Sequence, residues 1–362
     1  PQNLIHRRDC GLTVLVRTAF EVLIKQSNDA SIEKRRTVNG LVQKLRLQGQ
    51  PSAHAVHFLY SFLAILPSIS ASKPDEKDLV CHVFVAVSAI LEDCPSDWAV
   101  LNAATLVIAA IVEKLCALRL DVYGLRRRYS VIFASIVQTL EMAQNAASVR
   151  SSLFCSLLLL SRLKRLKTQR LSTADGFTHL FELVHRHAGS RYMHIRRVAA
   201  VAFAAITTED LAPQQMRSLI RSLIQTNGNI LHGVVLQCSA ILSEFGKVLA
   251  SIDHSALKHL YKVVLHKIIE GVHPMLARDA CLLILRLVDV VEADYGPAVH
   301  CFNILFAYHH QHSFPGASAL CESITQGLLH RRLWPLLASG SAVQEYVQNC
   351  HKNEETDEDI MY

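Results

Sequence analysis

Apolar residues along the chain recur with a period near 3.6 and are grouped into segments separated by short polar or Pro/Gly breaks. The pattern predicts helices near 10–26, 31–47, 52–70, 75–93, 97–118, 127–145, 148–166, 173–188, 191–206, 213–226, 230–250, 254–270, 274–292, 296–311, 316–331 and 341–351. Start signals agree with several of these: Ser52 follows Pro51, Ser96 precedes Asp97, and Pro213 and Pro274 stand at first-turn positions, where a missing N–H costs nothing. No stretch alternates with period two for long, so no sheet is expected. The predicted helices pair into hairpins over 31–70, 75–118, 127–166, 173–206, 213–250, 254–292 and 296–331, a spacing of roughly 40 residues without a sharp consensus. This predicts an all-α, HEAT/armadillo-like helical-repeat solenoid, with a compact bundle as the alternative. The linker 118–128 is longer and more polar than its neighbours.

Composition agrees with that picture. Hydrophobic residues make up 51% and charged residues 19%, with 14 Gly and 10 Pro, too apolar for disorder and too poor in turn residues for many short strands. Unbroken apolar runs such as 157–160 fall well short of the roughly 20 residues that span a bilayer, so no transmembrane helix is expected. Residues 1–8 contain neither an apolar signal core nor an initiator Met, and the chain reads as a fragment. Ten cysteines are scattered singly without a CxxC pair, which predicts buried free thiols, a reducing compartment and a cytoplasmic protein.

The net charge of +6 hides an asymmetry. Glu354, Glu355, Asp357, Glu358 and Asp359 form an acidic tail, expected to be disordered. Residues 114–197 hold fifteen Lys/Arg against four acids, a net +11. Arg126, Arg127, Arg128, Arg162, Lys164, Arg165, Lys167, Arg196 and Arg197 dominate this stretch, at predicted helix ends and turns. Such clustering suits a protein that tracks a phosphate backbone, where each neutralised phosphate releases a counterion. The same residues could instead complement helix C-termini on a solvated surface.

Several stretches together resemble a known family. They are Asn229-Ile230-Leu231-His232-Gly233-Val234-Val235-Leu236-Gln237, the run 96–106 around Trp98 and Asn102, Ser156-Leu157-Leu158-Leu159-Leu160-Ser161-Arg162-Leu163, Ile195-Arg196-Arg197-Val198-Ala199-Ala200, and Arg7-Arg8-Asp9-Cys10-Gly11-Leu12. Taken in their order along the chain, they resemble motifs of the THADA family (thyroid adenoma-associated proteins and their fungal counterparts, with a DUF2428-type domain), over roughly residues 5–250. Asp9, Cys10 and Thr13 stand where the family has Ser, Ala and Pro, and Leu101 where it has Arg. The resemblance implies a helical-repeat, non-catalytic regulator that binds an FtsJ-like 2′-O-methyltransferase and tRNA and directs ribose methylation at nucleotide 32 of the anticodon loop. S-adenosylmethionine would then sit on the partner enzyme only. Residues 1–250 would form the family-like region, 251–349 continuing repeats, and 350–362 the tail.

Within these motifs, Gly233 is the sharpest local oddity, because a glycine inside a helix costs about 1 kcal/mol relative to alanine. Asn229, His232 and Gln237 could meet RNA or a partner backbone; alternatively Asn229 caps the helix, Gly233 admits a neighbour, and the other two bond backbone. Arg7 and Arg8 suit phosphate or carboxylate recognition, whether on RNA or on the partner. Trp98 and Asn102, four apart, are expected to brace an adjacent turn within the core. His309, His310 and His312 have no acid or Cys nearby, and no HExxH, GxGxxG, GxxxxGK or GxSxG occurs. No metal, no cofactor and no catalysis by this chain itself are therefore expected. A protein-only scaffold without RNA binding is the alternative function.

Overall fold

The computed structural model describes residues 59–60, 62–63, 66–93, 98–142, 151–164, 176–226, 228–269 and 274–291. The helices predicted over 10–26, 31–47, 296–311, 316–331 and 341–351, the tail, and Arg7, Arg8, Arg165 and Lys167 lie outside the described residues. Within them the chain is helical, and no strand occurs.

Eleven α-helices succeed one another among the described residues: α1 (Pro74–Asp93), α2 (Trp98–Ala117), α3 (Val122–Arg128), α4 (Ser130–Met142), α5 (Ser151–Ser161), α6 (Gly176–Arg186), α7 (Met193–Ile206), α8 (Ala212–Gln225), α9 (Gly228–Ile252), α10 (His254–Ile269) and α11 (Pro274–Val291). A 3-10 turn, Leu66–Ser68, precedes α1, and a second, His187–Gly189, follows α6. Pro274 opens α11 and Pro213 lies in the first turn of α8, as their fixed φ favours.

The described residues form two compact units, the first running to residue 164 together with 176–185 and the second from residue 186 onward. In the first unit α1 packs on α2 and α4 on α5, while α1 also meets α4 and α2 meets α5, so the second hairpin stacks on the first. In the second unit α7, α9 and α11 form one row, and α8 and α10 pack against each other as another. Packing of every second helix is the repeat-stacking geometry of an α-solenoid. Two points fix the direction of α9 and α11: His232 meets Asp279 near their starts, and Ser239 and Ser243 meet Arg286 further along. These two helices are parallel.

Burial explains the apolar periodicity. In α2, Val100, Ala103, Ala104, Val107, Ile108, Ile111, Val112 and Leu115 are buried, a repeated i, i+3, i+4, i+7 stripe. By length and composition α2 and α9 are each apolar enough to cross a membrane, which the shorter unbroken runs in the sequence do not predict. α2 packs against α1 and α5, and α9 against α7, α8, α10 and α11, so each needs apolar residues on more than one face. Trp98 and Asn102 depart from expectation. Both are exposed, the indole at 76%, because the buried stripe of α2 runs along the opposite face.

The polar linker 118–128 folds rather than crossing as a loop. Arg119 adopts the left-handed conformation (φ 49°) beyond the end of α2, and Asp121 then caps α3 by accepting the Gly124 N–H at 2.6 Å. The predicted helix 127–145 is interrupted at Tyr129, whose N–H closes α3 on the Leu125 carbonyl and whose hydroxyl donates to the Ala71 carbonyl. Asp121→Ala is expected to cost about 1 kcal/mol, read from urea unfolding of the full chain; an unchanged midpoint would mean that α3 does not depend on its cap.

Of the described cysteines, Cys81, Cys155, Cys238 and Cys281 are buried and Cys116 is half-buried, all as free thiols. Burial pushes the Cys81 and Cys155 thiols up to about 11 and Cys238 higher still, so they stay protonated near neutral pH.

Candidate nucleic-acid interface

In the first unit one backbone hydrogen bond gathers the basic residues. The Lys164 N–H donates to the Leu120 carbonyl at 2.7 Å, which brings the exit of α5 against the connection between α2 and α3. Arg162 and Lys164, both exposed, therefore join exposed Arg119 at the start of α3. Arg126, Arg127 and Arg128 form the last turn of that same helix, roughly 10 Å along its axis. Asp121, the acid within this group, spends its carboxylate on the cap of α3. Arg162 also lies beside Cys116: burial raises that thiol, and the charge and hydrogen bond of Arg162 pull it part of the way back.

The cluster's members differ in how freely they project. The Arg126 guanidinium lies over Phe177 at 5.2 Å and Phe133 at 6.0 Å, on an aromatic group completed by Tyr123, whose ring is 4.4 Å from Phe177. Arg126 thus holds α3 against α4 and α6 while staying exposed. Arg127 and Arg128 are exposed and pair with no acid among the described residues. Arg119 is absent from the sequence-based candidates because it stands alone; its signal is its place inside the net-positive stretch, immediately after a helix end.

The second unit corrects one RNA candidate. Arg196 is only 7% exposed, so its guanidinium is not offered at the surface. It lies on the same helical face as Ala199, Ala200 and Phe203, all buried. Its Nη1 donates to the Ser190 carbonyl at 2.6 Å and to Asn229 Oδ1 at 3.0 Å, and its Nη2 donates to His232 Nδ1 at 3.1 Å. His232 Nε2 in turn meets Asp279 Oδ2 at 2.8 Å, and Arg278 donates through Nε and Nη2 to Asp279 Oδ1 at 3.1 and 2.9 Å.

A guanidinium cannot accept a hydrogen bond, so His232 Nδ1 is the acceptor and Nε2 carries the proton toward the carboxylate. His232 is thereby the neutral tautomer, relaying between Arg196 on α7 and Asp279 on α11. Burial raises the Asp279 carboxyl, but the hydrogen bonds from His232 and Arg278 and the charge of Arg278 outweigh it and hold the group below the usual carboxylate range.

The expected partner-binding residues of α9 are placed differently from one another, Asn229 staying exposed. His232 and Gln237 are buried, and Asn229 does not stand outside the helix as a cap: α9 begins at Gly228 and the Asn229 amide is taken by Arg196. A Cβ on Gly233 would lie 2.1 Å from the Ala188 carbonyl oxygen, so the glycine admits the backbone of the second 3-10 turn. The signal for Asp279, which the sequence-based candidates lack, is a carboxylate on the same helical face as buried Leu276 and Leu283. Arg197 is exposed.

No group of three or more potential metal ligands occurs among the described residues. The architecture defines the class: a helical-repeat protein with a basic cluster in its first unit. Residues 124–241, about a third of the chain, match the family model described as Trm732, C-terminal TPR repeats. No curated protein matches the chain. The matched segment runs from α3 into α9 and contains Arg126–Arg128, Arg162, Lys164, Arg196 and His232.

Proposed function

We propose that this chain is a helical-repeat part of a non-catalytic regulator of tRNA methylation. It binds an FtsJ-like 2′-O-methyltransferase and tRNA in the cytoplasm, and it directs ribose methylation at nucleotide 32 of the anticodon loop. The observation that carries the reading is the match of residues 124–241 to the Trm732 repeat model, which overlaps the basic stretch and lies within the region that resembles THADA-family motifs. S-adenosylmethionine belongs to the partner enzyme. This chain contributes orientation, which alone accounts for large accelerations when a reactive nucleotide is held at a catalytic centre. Arg119, Arg127, Arg128, Arg162 and Lys164 hold the tRNA body through phosphates and shape rather than sequence.

Charge reversal of Arg127, Arg128, Arg162 and Lys164 together is expected to weaken tRNA binding at least tenfold. It should also lower the log–log salt slope by roughly 0.7–0.9 for each phosphate no longer neutralised. Fluorescence anisotropy against a tRNA transcript over a salt series reads both. An unchanged affinity and slope would remove this cluster from the interface.

A second reading, a protein-only scaffold, draws on Arg126 and Arg196, whose guanidinium groups are engaged within the protein. Under it the wild-type chain binds tRNA no more tightly than an unrelated basic protein of similar net charge does.

A further inference from the structure

The hydrogen-bonded chain in the second unit is not charge-balanced. Asp279 is its only carboxylate among the described residues, and it serves Arg278 directly and His232 through Nε2. Arg196 meets a carbonyl, an amide oxygen and a neutral imidazole, but no carboxylate, and its Nε is buried without a partner. A buried guanidinium with no direct counter-charge is unfavourable. Burial and the like charge of Arg197 both press on this group, and Asp279 offsets them only in part.

The position of that charge is informative. The Arg196 guanidinium bridges Ser190, just before α7, and Asn229, in the first turn of α9, so it lies where two helix N-termini meet. Both ends carry the positive pole of a helix, and neither first turn contains an acid. Tyr192, at the cap position of α7, gives no side-chain cap, and at the α9 start Gly228, Asn229 and Ile230 are exposed, with nothing among the described residues within 4 Å of a Cβ built on Gly228.

Around this edge stand exposed Arg191 and Arg197. Arg191 is held in place by its neighbour, its guanidinium 4.7 Å from the Tyr192 ring and its Nη2 donating to the Tyr192 hydroxyl at 2.6 Å. From Leu183 to Thr208 the chain contains no acid.

We infer that the joint N-terminal edge of α7 and α9 is a phosphate-binding site, with Arg191 and Arg197 as its exposed arms and Arg196 as the fixed charge beneath. Resting on the functional reading above, its ligand is a backbone phosphate of the bound tRNA, and the site is a second anchor on the second unit. Backbone N–H groups of the two first turns supply the remaining donors.

The test uses the full chain and the double variant Arg191→Gln/Arg197→Gln, whose exposed changes leave the buried chain intact; circular dichroism checks the fold. The variant is expected to bind a tRNA transcript about tenfold more weakly, with a salt slope smaller by roughly 1.5, the share of two phosphates. In parallel, inorganic phosphate is expected to raise the melting temperature of the wild type, and not of the variant, above a chloride control of equal ionic strength. Wild-type affinity and slope in the variant would overturn the site while leaving the tRNA reading in place. If the wild type binds no tRNA, the functional reading fails. In that case a phosphate stabilisation lost in the variant supports the site for another phosphate ligand, and its absence overturns the site as well.

Discussion

Replacing Gly233 with alanine is expected to destabilise the protein by about 3 kcal/mol. The change runs against the ordinary rule, in which alanine in place of a helical glycine stabilises by about 1 kcal/mol. The reversal comes from the Ala188 backbone: its carbonyl oxygen, Cα and carbonyl carbon would lie 2.1, 2.5 and 2.6 Å from the new methyl group. Backbone in a 3-10 turn cannot swing aside as a long side chain can, so the whole turn His187–Gly189 must lift from α9. The start of α7 follows that turn, and the hydrogen bond of Arg196 to the Ser190 carbonyl would be disturbed with it. Urea unfolding followed by far-ultraviolet circular dichroism measures the loss. A neutral or stabilising substitution would show that the turn does not sit against α9.

The second large effect is expected at Asp279. Asp279→Asn keeps the shape and one acceptor for His232, but it removes the negative charge between Arg196 and Arg278. Breaking a buried pair from one side costs roughly 3–5 kcal/mol, and the lower end applies here because Arg278 keeps part of its side chain in water. The pH dependence has a definite sign. The folded-state carboxyl is held below its ordinary value, so the stability it contributes is present above the usual carboxylate pKa of about 4 and is lost as pH falls toward the depressed folded value. The wild type should therefore lose stability from about pH 5 downward more steeply than Asp279→Asn. The gap between the two should narrow in acid. Parallel stability curves would show that Asp279 is not ionised in the folded chain.

Helix positions were legible in the sequence because each apolar stripe repeats at the helical period, and Pro213 and Pro274 mark starts that the structure keeps. Tyr129 was not legible as a break. Tyrosine is no helix terminator by itself, and the interruption coincides with a hydrogen bond to Ala71, 58 residues away. The outward face of α2 was equally hidden, since a helix apolar around most of its circumference does not announce which side faces water, and Trp98 fell on the exposed one.

At the candidate interface, the run Arg126–Arg128 showed its exposure in its density, but adjacent Arg196 and Arg197 look alike until the helical wheel separates them. Arg196 shares the face of Ala199, Ala200 and Phe203, whereas Arg197 shares the exposed face of Val201. The partnership of His232 with Asp279, 47 residues apart, is a product of repeat stacking, and no local pattern encodes it. Gly233 could be singled out in the sequence, but which backbone it admits is a tertiary fact.

The central claim is that this protein directs tRNA methylation, and its most direct test is 2′-O-methylation read position by position in tRNA from cells that lack it. The account predicts loss of methylation at nucleotide 32 with neighbouring modifications intact. Re-expression of the wild type should restore the mark, and the variant reversed at Arg127, Arg128, Arg162 and Lys164 should not, although it accumulates to the same level. Full methylation at nucleotide 32 in cells without the protein would contradict the account and leave the helical-repeat scaffold as the function to pursue.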